Sequence, residues 1–266
     1  MTPPSRSAPR GFGPVSWAGH ALVLHPSGAI FLPEQGQRGT VLVADAHFGK
    51  ALSFRRLGVP VPVGTTEETL CKLDSVLADT GADRLVFLGD FLHSAQVLKS
   101  GAAPRDKSAA NATLGALHRW RERQSGLQWT LVRGNHDARA GDPPPGLGLE
   151  VVNEPLLWPV PTPPLGTVAW PLALCHHPQR LPGLAVLAGH WHPCTVLRGR
   201  GRDRLRLPCF WLSGLAGAGE IAPDALGVLP AFGSFTGMHP VAAQSGDRVF
   251  AVAGDSVQEV PGAQSA

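Results

Sequence analysis

The sequence is poor in the features that mark several classes of protein. Its four cysteines, Cys71, Cys175, Cys194 and Cys209, are far apart and form no CxxC pair, which argues against a zinc ribbon and a disulfide framework. No apolar run approaches the length of a membrane span, and the N-terminus lacks the apolar core of a signal peptide. Cytoplasmic residence is therefore the default expectation.

Charged residues are also scarce, at 16% of the chain, and the formal net charge is only +3. This mild basic excess is compatible with a phosphate-bearing substrate, but a neutral enzyme surface fits it almost as well. A chain of 266 residues with 43% hydrophobic content can form one domain with a large core. We expect that domain over residues 15–254, with flexible tails over residues 1–14 and 255–266.

The chain does contain a repeated pattern, in which a hydrophobic strand delivers Asp, Asn or His at its C-terminal end. The four segments with this pattern are residues 41–47, 84–93, 130–137 and 184–192. Open α/β sheets place their chemistry at the carboxyl ends of strands. The pattern therefore predicts one site that is assembled from several strand ends.

The first half of the chain predicts helices between these strands. Thr65 and Glu68 have capping-box spacing at the start of a helix that ends near Gly81 and has a face of Leu70, Leu73, Val76 and Leu77. A second helix is predicted over about residues 107–123, and a β-hairpin is predicted around residues 26–28. Residues 48–62 are expected to be a loop over the site, and the proline-rich residues 141–148 a surface loop.

From Val151 onward the pattern changes to short strands with Pro and Gly turns. The candidate strands are residues 167–175, 184–188, 194–197, 204–212, 225–229 and 248–252. Helices in the first half and strands in the second predict an α/β fold of two packed sheets with helices outside.

The spacing of the polar residues indicates metal binding. Asp45 and His47 are two residues apart, as are His190 and His192, and side chains at i and i+2 of an extended chain share a side. In Gly134-Asn135-His136-Asp137 neighbouring side chains diverge, so Asn135 and His136 should serve different tasks. Carboxylate, imidazole and amide oxygen without thiolate suit manganese, iron or zinc rather than copper(I) or an iron–sulfur cluster.

The candidate ligands are too many for one tetrahedral ion. They are Asp45, His47, Asp90, Asn135, His176, His190 and His192. We infer a dinuclear site bridged by Asp90. His176 directly follows an apolar strand, but His177 is nearly as plausible as the ligand. Seven of the eleven histidines fall in these stretches, a concentration that packing alone would not demand.

These motifs resemble the signature of the calcineurin-like metallophosphoesterase superfamily. The signature elements are D-x-H at residues 45–47, G-D-x-x-H at 89–93, G-N-H-D at 134–137, a lone histidine at 176 and G-H-x-H at 189–192. The resemblance implies an αββα sandwich of two mixed sheets flanked by helices. It also implies that Asp45, His47, Asp90 and His192 hold one ion, and that Asp90, Asn135, His176 and His190 hold the other.

Softer motifs resemble the bacterial ligase-associated DNA damage response endonuclease family, PdeM. They lie at residues 45–62, 88–94, 189–193 and 229–237. This resemblance implies a DNA substrate, a role in DNA repair, and association with a DNA ligase and a helicase.

A site of this kind supports hydrolysis of a phosphate ester. Two divalent ions, of which we expect manganese and consider iron or zinc as alternatives, would bind the phosphoryl oxygens and turn a bridging water into hydroxide. His136 is the expected general acid, Asp137 would orient its ring, and His93 would touch the substrate or the acid. A simple turn hydrogen bond is the alternative for Asp137.

Other residues near the motifs could have either a functional or a purely structural role. Lys50, Arg55 and Arg56 could bind flanking phosphates, or they could be solvent-exposed residues of a loop, and the sequence favours neither. Trp191 could stack on a base or pack in the wall of the site.

The leading expectation is therefore a dinuclear-metal-dependent phosphodiesterase or endonuclease acting on DNA. The alternative is a hydrolase of small cyclic or dinucleotide phosphoesters, which would use the same metal ligands. A non-catalytic scaffold would be expected to lack ligands or the acid, and here none is missing. A protein phosphatase is disfavoured only by the resemblance to the endonuclease family.

Overall fold

The structure is a computed structural model, and it describes residues 13–34, 36–93, 104–159, 169–199, 202–213 and 224–261. Within these residues, seven strands form one sheet and nine form a second. In order across the first sheet, the strands are β1 (Gly13–Trp17), β2 (His20–Leu24), β3 (Ile30–Leu32), β4 (Thr40–Val43), β5 (Arg84–Leu88), β6 (Gln128–Val132) and β7 (Glu150–Val152). Strands β1 to β4 are antiparallel, and β4 to β7 are parallel.

The second sheet is also mixed. Its strands are β8 (Leu156–Trp158), β9 (Leu172–Leu174), β10 (Ala185–Ala188), β11 (Pro193–Arg198), β12 (Arg204–Leu212), β13 (Leu226–Val228), β14 (His239–Pro240), β15 (Arg248–Ala253) and β16 (Ser256–Glu259). The order is β14-β11-β12-β13-β10-β9-β8, with β15 paired to β12 and β16 paired to β15. Strands β9, β10 and β13 are parallel, whereas β11 and β12 form an antiparallel hairpin.

The helices are α1 (Lys50–Arg56), α2 (Thr65–Thr80), α3 (Pro104–Arg123) and α4 (Asn135–Ala140), with a 3-10 turn at Pro145–Leu147. Helices α2 and α3 pack on the outer face of the first sheet. Leu73 and Val76 of α2 and Leu117 and Trp120 of α3 are fully buried there. Apolar residues at helical spacing thus cover one side of the sheet. Of the helices that the structure describes, none combines the length and apolar composition that a membrane crossing requires.

Strand β5 shows how the layers are built. Leu85 and Phe87 lie in the cluster beneath the helices, whereas Val86 and Leu88 lie in the cluster between the two sheets. Successive side chains of a strand point to opposite faces, so a strand buried on both faces must be apolar throughout. The expected sandwich of two mixed sheets with helices outside is confirmed.

Several local predictions were wrong. Helix α2 has Gly64 as its N-cap, with φ of 84° and no side-chain cap hydrogen bond, so the capping box at Thr65 and Glu68 does not form. The predicted loop 48–62 contains helix α1. The predicted tail from residue 255 instead contributes strand β16, and β1 already begins at Gly13.

Other predictions are confirmed with adjusted bounds. The hairpin around residues 26–28 joins β2 and β3. The loop at residues 141–148 includes the 3-10 turn, where Leu147 is buried. Of the predicted strand 167–175, residues 172–174 are extended, and residues 167–168 lie outside the described residues, as does Ser94 of the endonuclease-like motif.

Candidate metal centre

The loops that follow β4, β5, β6, β9 and β10 meet at one edge of the sandwich, and the backbone there is unusual. Of the six described residues other than glycine with positive φ, five are predicted ligands: Asp45 (55°), His47 (46°), Asp90 (51°), His190 (68°) and His192 (48°). Such conformations are costly for residues with a Cβ and persist at functional sites where the surroundings fix them. The pairs two residues apart therefore converge through tight turns, not through the extended chain that we expected.

Two motif glycines are required because ligand side chains approach them closely. A Cβ at Gly89 would lie 2.0 Å from Nδ1 of His176, and a Cβ at Gly189 would lie 2.6 Å from Oδ2 of Asp45. Only glycine leaves this space free.

The first group of ligand atoms comes from Asp45, His47 and His192, within 4.8 Å of one another. Nδ1 of His192 bonds to the carbonyl oxygen of Gly237 at 3.1 Å, so that nitrogen carries the proton. In a neutral ring Nε2 then has a free lone pair, and it lies 3.3 Å from Oδ1 of Asp45. That buried oxygen has no hydrogen-bond partner, which is what an atom reserved for a cation would show.

The second group is centred on His176, which is fully buried. Its Nδ1 donates to the carbonyl oxygen of Leu88 at 3.0 Å. Its Nε2 lies 2.9 Å from Oδ1 of Asn135, 3.0 Å from Nδ1 of His190 and 3.4 Å from Oδ1 of Asp90. With its proton on Nδ1, a neutral His176 ring has a lone pair at Nε2. This lone pair faces the oxygen lone pairs of Asn135 and Asp90, and a cation bound among these atoms would remove the repulsion.

Asp90 lies between the two groups. Its Oδ2 is 3.7 Å from Nε2 of His47, and its Oδ1 is 3.4 Å from Nε2 of His176. One carboxylate thus faces ligands of both positions, the arrangement that a bridging ligand needs. The donor set and the unpaired buried oxygen fit two divalent ions.

Burial also sets the protonation state of the centre. It lowers the pKa of His47 far below its ordinary value, with a further lowering from Lys50 and the neighbouring histidines. It lowers the pKa of His190 as well. Neutral imidazole is the form that ligates a metal, so burial prepares both rings for that role.

The structure separates His176 from its neighbour His177. The His177 ring bonds through Nδ1 to Oε1 of Glu154 at 2.7 Å and is half-exposed. Oε2 of Glu154 accepts from the backbone N–H groups of both histidines, at 2.7 Å and 2.9 Å. The geometry favours His176, although nitrogens of His177, His176 and His190 also lie within 4.8 Å of one another.

His136 and His93 form a stacked pair beside the first group, with ring centroids 5.0 Å apart. Nδ1 of His136 donates to the carbonyl oxygen of His93 at 2.7 Å, and Nε2 lies 3.9 Å from Oδ2 of Asp90. Burial, aided by Lys50 and His136, lowers the pKa of His93 to about 4, so its ring is neutral near pH 7. Nitrogens of His47, His93 and His136 also come within 4.8 Å of one another.

The prediction that Asp137 orients the His136 ring is wrong. Its Oδ1 accepts from the N–H groups of Phe91 and Leu92 at 3.0 Å and 3.2 Å, and its Oδ2 accepts from Gly134 at 3.0 Å. Burial raises its pKa to about 6, although these hydrogen bonds oppose the shift. Asp137 therefore ties the loop after β5 to the loop after β6, and the His93 carbonyl orients the ring of His136.

Comparison with known proteins agrees with this geometry. No family model matches the chain, and no curated protein matches it. Among solved structures, the crystal structure of the Pseudomonas putida nuclease MPE is similar, with 38% sequence identity and a TM-score of 0.70 over 94% of this chain and 100% of that one. The chain belongs to the metallophosphoesterase superfamily. The E. coli phosphoesterase YfcE also matches, at 16% identity and a TM-score of 0.34 over 83% of this chain and 97% of its own, a likeness too weak to support a conclusion.

Membership of the metallophosphoesterase superfamily makes the chain a metal-dependent phosphoesterase. The identity of its metals is a separate question, since the donor set suits manganese, iron and zinc alike.

The three cations predicted to hold phosphates have different surroundings. Burial lowers the pKa of Lys50, while the negative charges of Asp45 and Asp90 raise it, which places this ammonium group near the centre. Nη2 of Arg55 instead donates to the carbonyl oxygen of Pro62 at 2.6 Å, so its guanidinium holds its own loop. The side chain of Arg56 lies outside the described part of the structure.

Sequence reasoning missed Glu154, which positions both His176 and His177. A signal was present, because Glu154 follows β7 just as the ligands follow their strands. The segment at residues 229–237 also gains a physical role. Phe232 N–H and Gly233 N–H donate to the carbonyl oxygens of Ala44 and Asp45, at 2.8 Å and 3.2 Å, and so hold the loop of the first ligands.

Proposed function

We propose that this metallophosphoesterase is a nuclease that hydrolyses phosphodiester bonds in DNA, with a role in DNA repair. The main support for this proposal is an arginine-rich hairpin that starts at the metal centre. Similarity to a protein described as a nuclease supports it.

The hairpin consists of β11 and β12. Strand β11 begins at Pro193, directly after His192, and residues 198–206 at the tip contain five arginines and one aspartate. This segment alone is more positive than the whole chain, whose formal net charge is +3. Positive charge is therefore concentrated at the far end of a hairpin that starts at the site.

Four of the tip arginines lie in the described part of the chain, and all four, Arg198, Arg202, Arg204 and Arg206, are exposed. Arg198 pairs directly opposite Arg204 in the strand register, and Arg206 follows on the same side of β12. Like charges directly opposite each other destabilise a sheet. Among the described residues, ion pairs of arginine involve only Arg84, Arg123, Arg133 and Arg248, so no described arginine of the hairpin forms an ion pair that would offset this repulsion. A polyanion on this face would offset it.

The length of the hairpin favours a polymer over a small phosphoester. A strand rises about 3.3 Å per residue, so Arg198 lies roughly 17 Å from the start of β11. One strand of B-DNA advances 3.4 Å per nucleotide, and the hairpin thus matches roughly five nucleotides. A cyclic or dinucleotide phosphoester bound at the ions would leave the tip without contact.

In the proposed mechanism, the metal ions and the protein residues have separate roles. When bound, two divalent ions, manganese in our proposal, supply positive charge for the phosphoryl oxygens and lower the pKa of water. The proton on Nδ1 of His136 is held by the His93 carbonyl, so Nε2 is the atom that can carry a proton to the leaving oxygen. Lys50 adds positive charge beside the carboxylates.

The test removes the hairpin arginines together. In Arg198→Ala/Arg204→Ala/Arg206→Ala, the KM for a DNA oligonucleotide should rise at least about tenfold at moderate salt, because phosphate contacts and released counterions are lost. The dependence of log(kcat/KM) on log[salt] should become shallower by about 1 for each lost contact. Hydrolysis of bis(p-nitrophenyl) phosphate should not change.

The matched control is Arg38→Ala/Arg119→Ala/Arg123→Ala, which removes the same charge from exposed positions elsewhere. Equal losses in the two triple variants, or an equal loss on the small diester, would refute the role of the hairpin. Faster turnover of cyclic dinucleotides than of DNA by the wild type would replace the proposal with the small-phosphoester alternative.

On the resemblance to the PdeM family alone, we also propose association with a DNA ligase and a helicase. Co-purification of the tagged chain with each enzyme tests this part separately.

A further inference from the structure

A cavity of about 510 Å³ opens beside the metal centre, on the side of the second sheet. The residues that line it include His190, Trp191, Trp211, His239, Pro240 and Gln244. The phosphoesterase chemistry described above makes no use of it. Its volume is that of a small-molecule site, which is typically apolar with a few polar groups.

The wall of this cavity is an aromatic pair. Trp191 and Trp211 stack with ring centroids 5.5 Å apart and an interplanar angle of 27°. Trp191 is 42% exposed and is the only aromatic residue among the exposed large hydrophobic side chains of the described chain. Leaving an indole exposed forfeits the gain from burying it, so a partner for this surface would restore that gain.

The Trp211 ring is anchored by a hydrogen bond. Nε1 of Trp211 donates to Oδ2 of Asp247 at 2.9 Å, and the N–H of Gln244 donates to the same oxygen at 2.8 Å. His239, which also lines the cavity, is connected to the loop of the predicted ligands, because its N–H donates to the carbonyl oxygen of His192 at 2.9 Å. Hydrogen bonds therefore connect the lining of the cavity both to Asp247 and to the loop of the predicted ligands.

The position of Trp191 decides which ligand suits the cavity. The predicted ligand His190 lines the same cavity as Trp191, so a group stacked on the indole ring lies beside a phosphate held by that ligand's ion. A flat aromatic ring with polar edges suits this wall, and the side chains of His239 and Gln244 can hydrogen-bond to such edges. In a polynucleotide, the group next to the phosphate that meets this description is a nucleobase.

We propose that Trp191 and Trp211 form a stacking subsite for the nucleobase next to the scissile phosphate. The inference rests on the proposed nuclease function and deepens it. A base inside a duplex has both faces covered, so the base that enters this subsite is unpaired.

The test uses a single-stranded oligonucleotide made as a series in which one nucleotide at a time is abasic. Cleavage at each phosphate is measured on a sequencing gel. With wild-type enzyme, cleavage at a phosphate should fall about 5- to 150-fold when the nucleotide on one particular side of it is abasic. Trp191→Ala should lose a similar factor on unmodified DNA and show little further loss with the abasic series.

Two further variants separate stacking from damage to the metal centre. Trp191→Phe should keep most of the activity and the sensitivity to abasic nucleotides, and Trp211→Ala, which alters no predicted ligand or its neighbour, should weaken that sensitivity. Leu157→Ala, at another exposed apolar position, is the control and should behave as wild type. Metal content per chain should be the same in all of them.

Two results would overturn the subsite while leaving the nuclease proposal intact. One is wild-type cleavage that ignores abasic nucleotides, and the other is undiminished sensitivity to them in both Trp191→Ala and Trp211→Ala. If the wild type cleaved no DNA at all, the proposed function itself would fail and this inference with it.

Discussion

His176 and His177 are neighbours in the chain, yet they have different surroundings. His176 is buried, donates from Nδ1 to Leu88 and turns Nε2 toward Asn135 and Asp90. His177 is half-exposed and is held by Glu154. The pair offers a comparison in which the substituted residue type and the local sequence are the same.

His176→Ala should reduce bound metal to about one ion per chain and lower kcat for a phosphodiester at least about 100-fold, since ligand loss removes charge stabilisation of the transition state. His177→Ala should retain both ions and most of the activity. Metal content by elemental analysis and initial rates provide the measurements. Equal losses in the two variants would contradict the assignment of His176 as the ligand.

The candidate ligands that the structure brings together could be picked out from the sequence, because each follows a hydrophobic strand in a recognisable motif. Their hydrogen-bond partners were not. The carbonyl oxygens that orient His176 and His192 belong to Leu88 and Gly237, far along the chain, and only the folded structure brings them there. For the same reason the tie that Asp137 makes between two loops could not be distinguished from a role beside His136.

At the scale of helices and strands, the long and strongly periodic elements were predictable and the short ones were not. The apolar face of α2, with four residues, and the apolar run of β5 predict burial, and these residues are buried in the structure. Helix α1 has only seven residues, and Ala51 and Leu52 are buried within it. So short a helix depends on tertiary packing, which leaves little local signal. Strand β16 exists because it pairs with β15, which the local sequence does not reveal.

Helix α2 carries a partly buried lysine that connects it to the segment at residues 229–237. Nζ of Lys72 donates to the carbonyl oxygen of Phe232 at 2.6 Å and lies 4.4 Å from the centroid of that ring. Burial lowers the pKa of Lys72 to about 8, although Glu68 opposes the shift. Between pH 8 and the ordinary pKa of 10.5, the unfolded chain thus holds the proton more tightly than the folded chain.

Stability should therefore rise with pH across that window, and the gain should be absent without the lysine. From pH 8 to pH 10.5, the free energy of unfolding of the wild type should increase relative to that of Lys72→Met by at most about 3 kcal/mol. Urea unfolding of both proteins at several pH values measures this difference. A difference that stays constant over the window would show that the Lys72 pKa is not lowered.

At the scale of the whole molecule, the sandwich brings the two halves of the chain to one edge. Asp45, Asp90 and Asn135 follow strands of the first sheet, whereas His176, His190 and His192 follow strands of the second. The strand pattern predicted that such ends would meet, but it did not determine how two sheets are placed against each other. The hairpin of β11 and β12 extends from the same edge, so its position relative to the ions also depends on the complete fold.

We propose that Asp90 is the ligand shared by two divalent ions whose other ligands come from both sheets. The most direct test is the number of manganese ions bound per chain, measured by isothermal titration and elemental analysis in the wild type and in Asp90→Asn. We expect two ions in the wild type and no more than one in the variant, with at least about 100-fold slower phosphodiester hydrolysis. Two ions and full activity in Asp90→Asn, or no bound ion in the metal-supplemented wild type, would contradict this proposal.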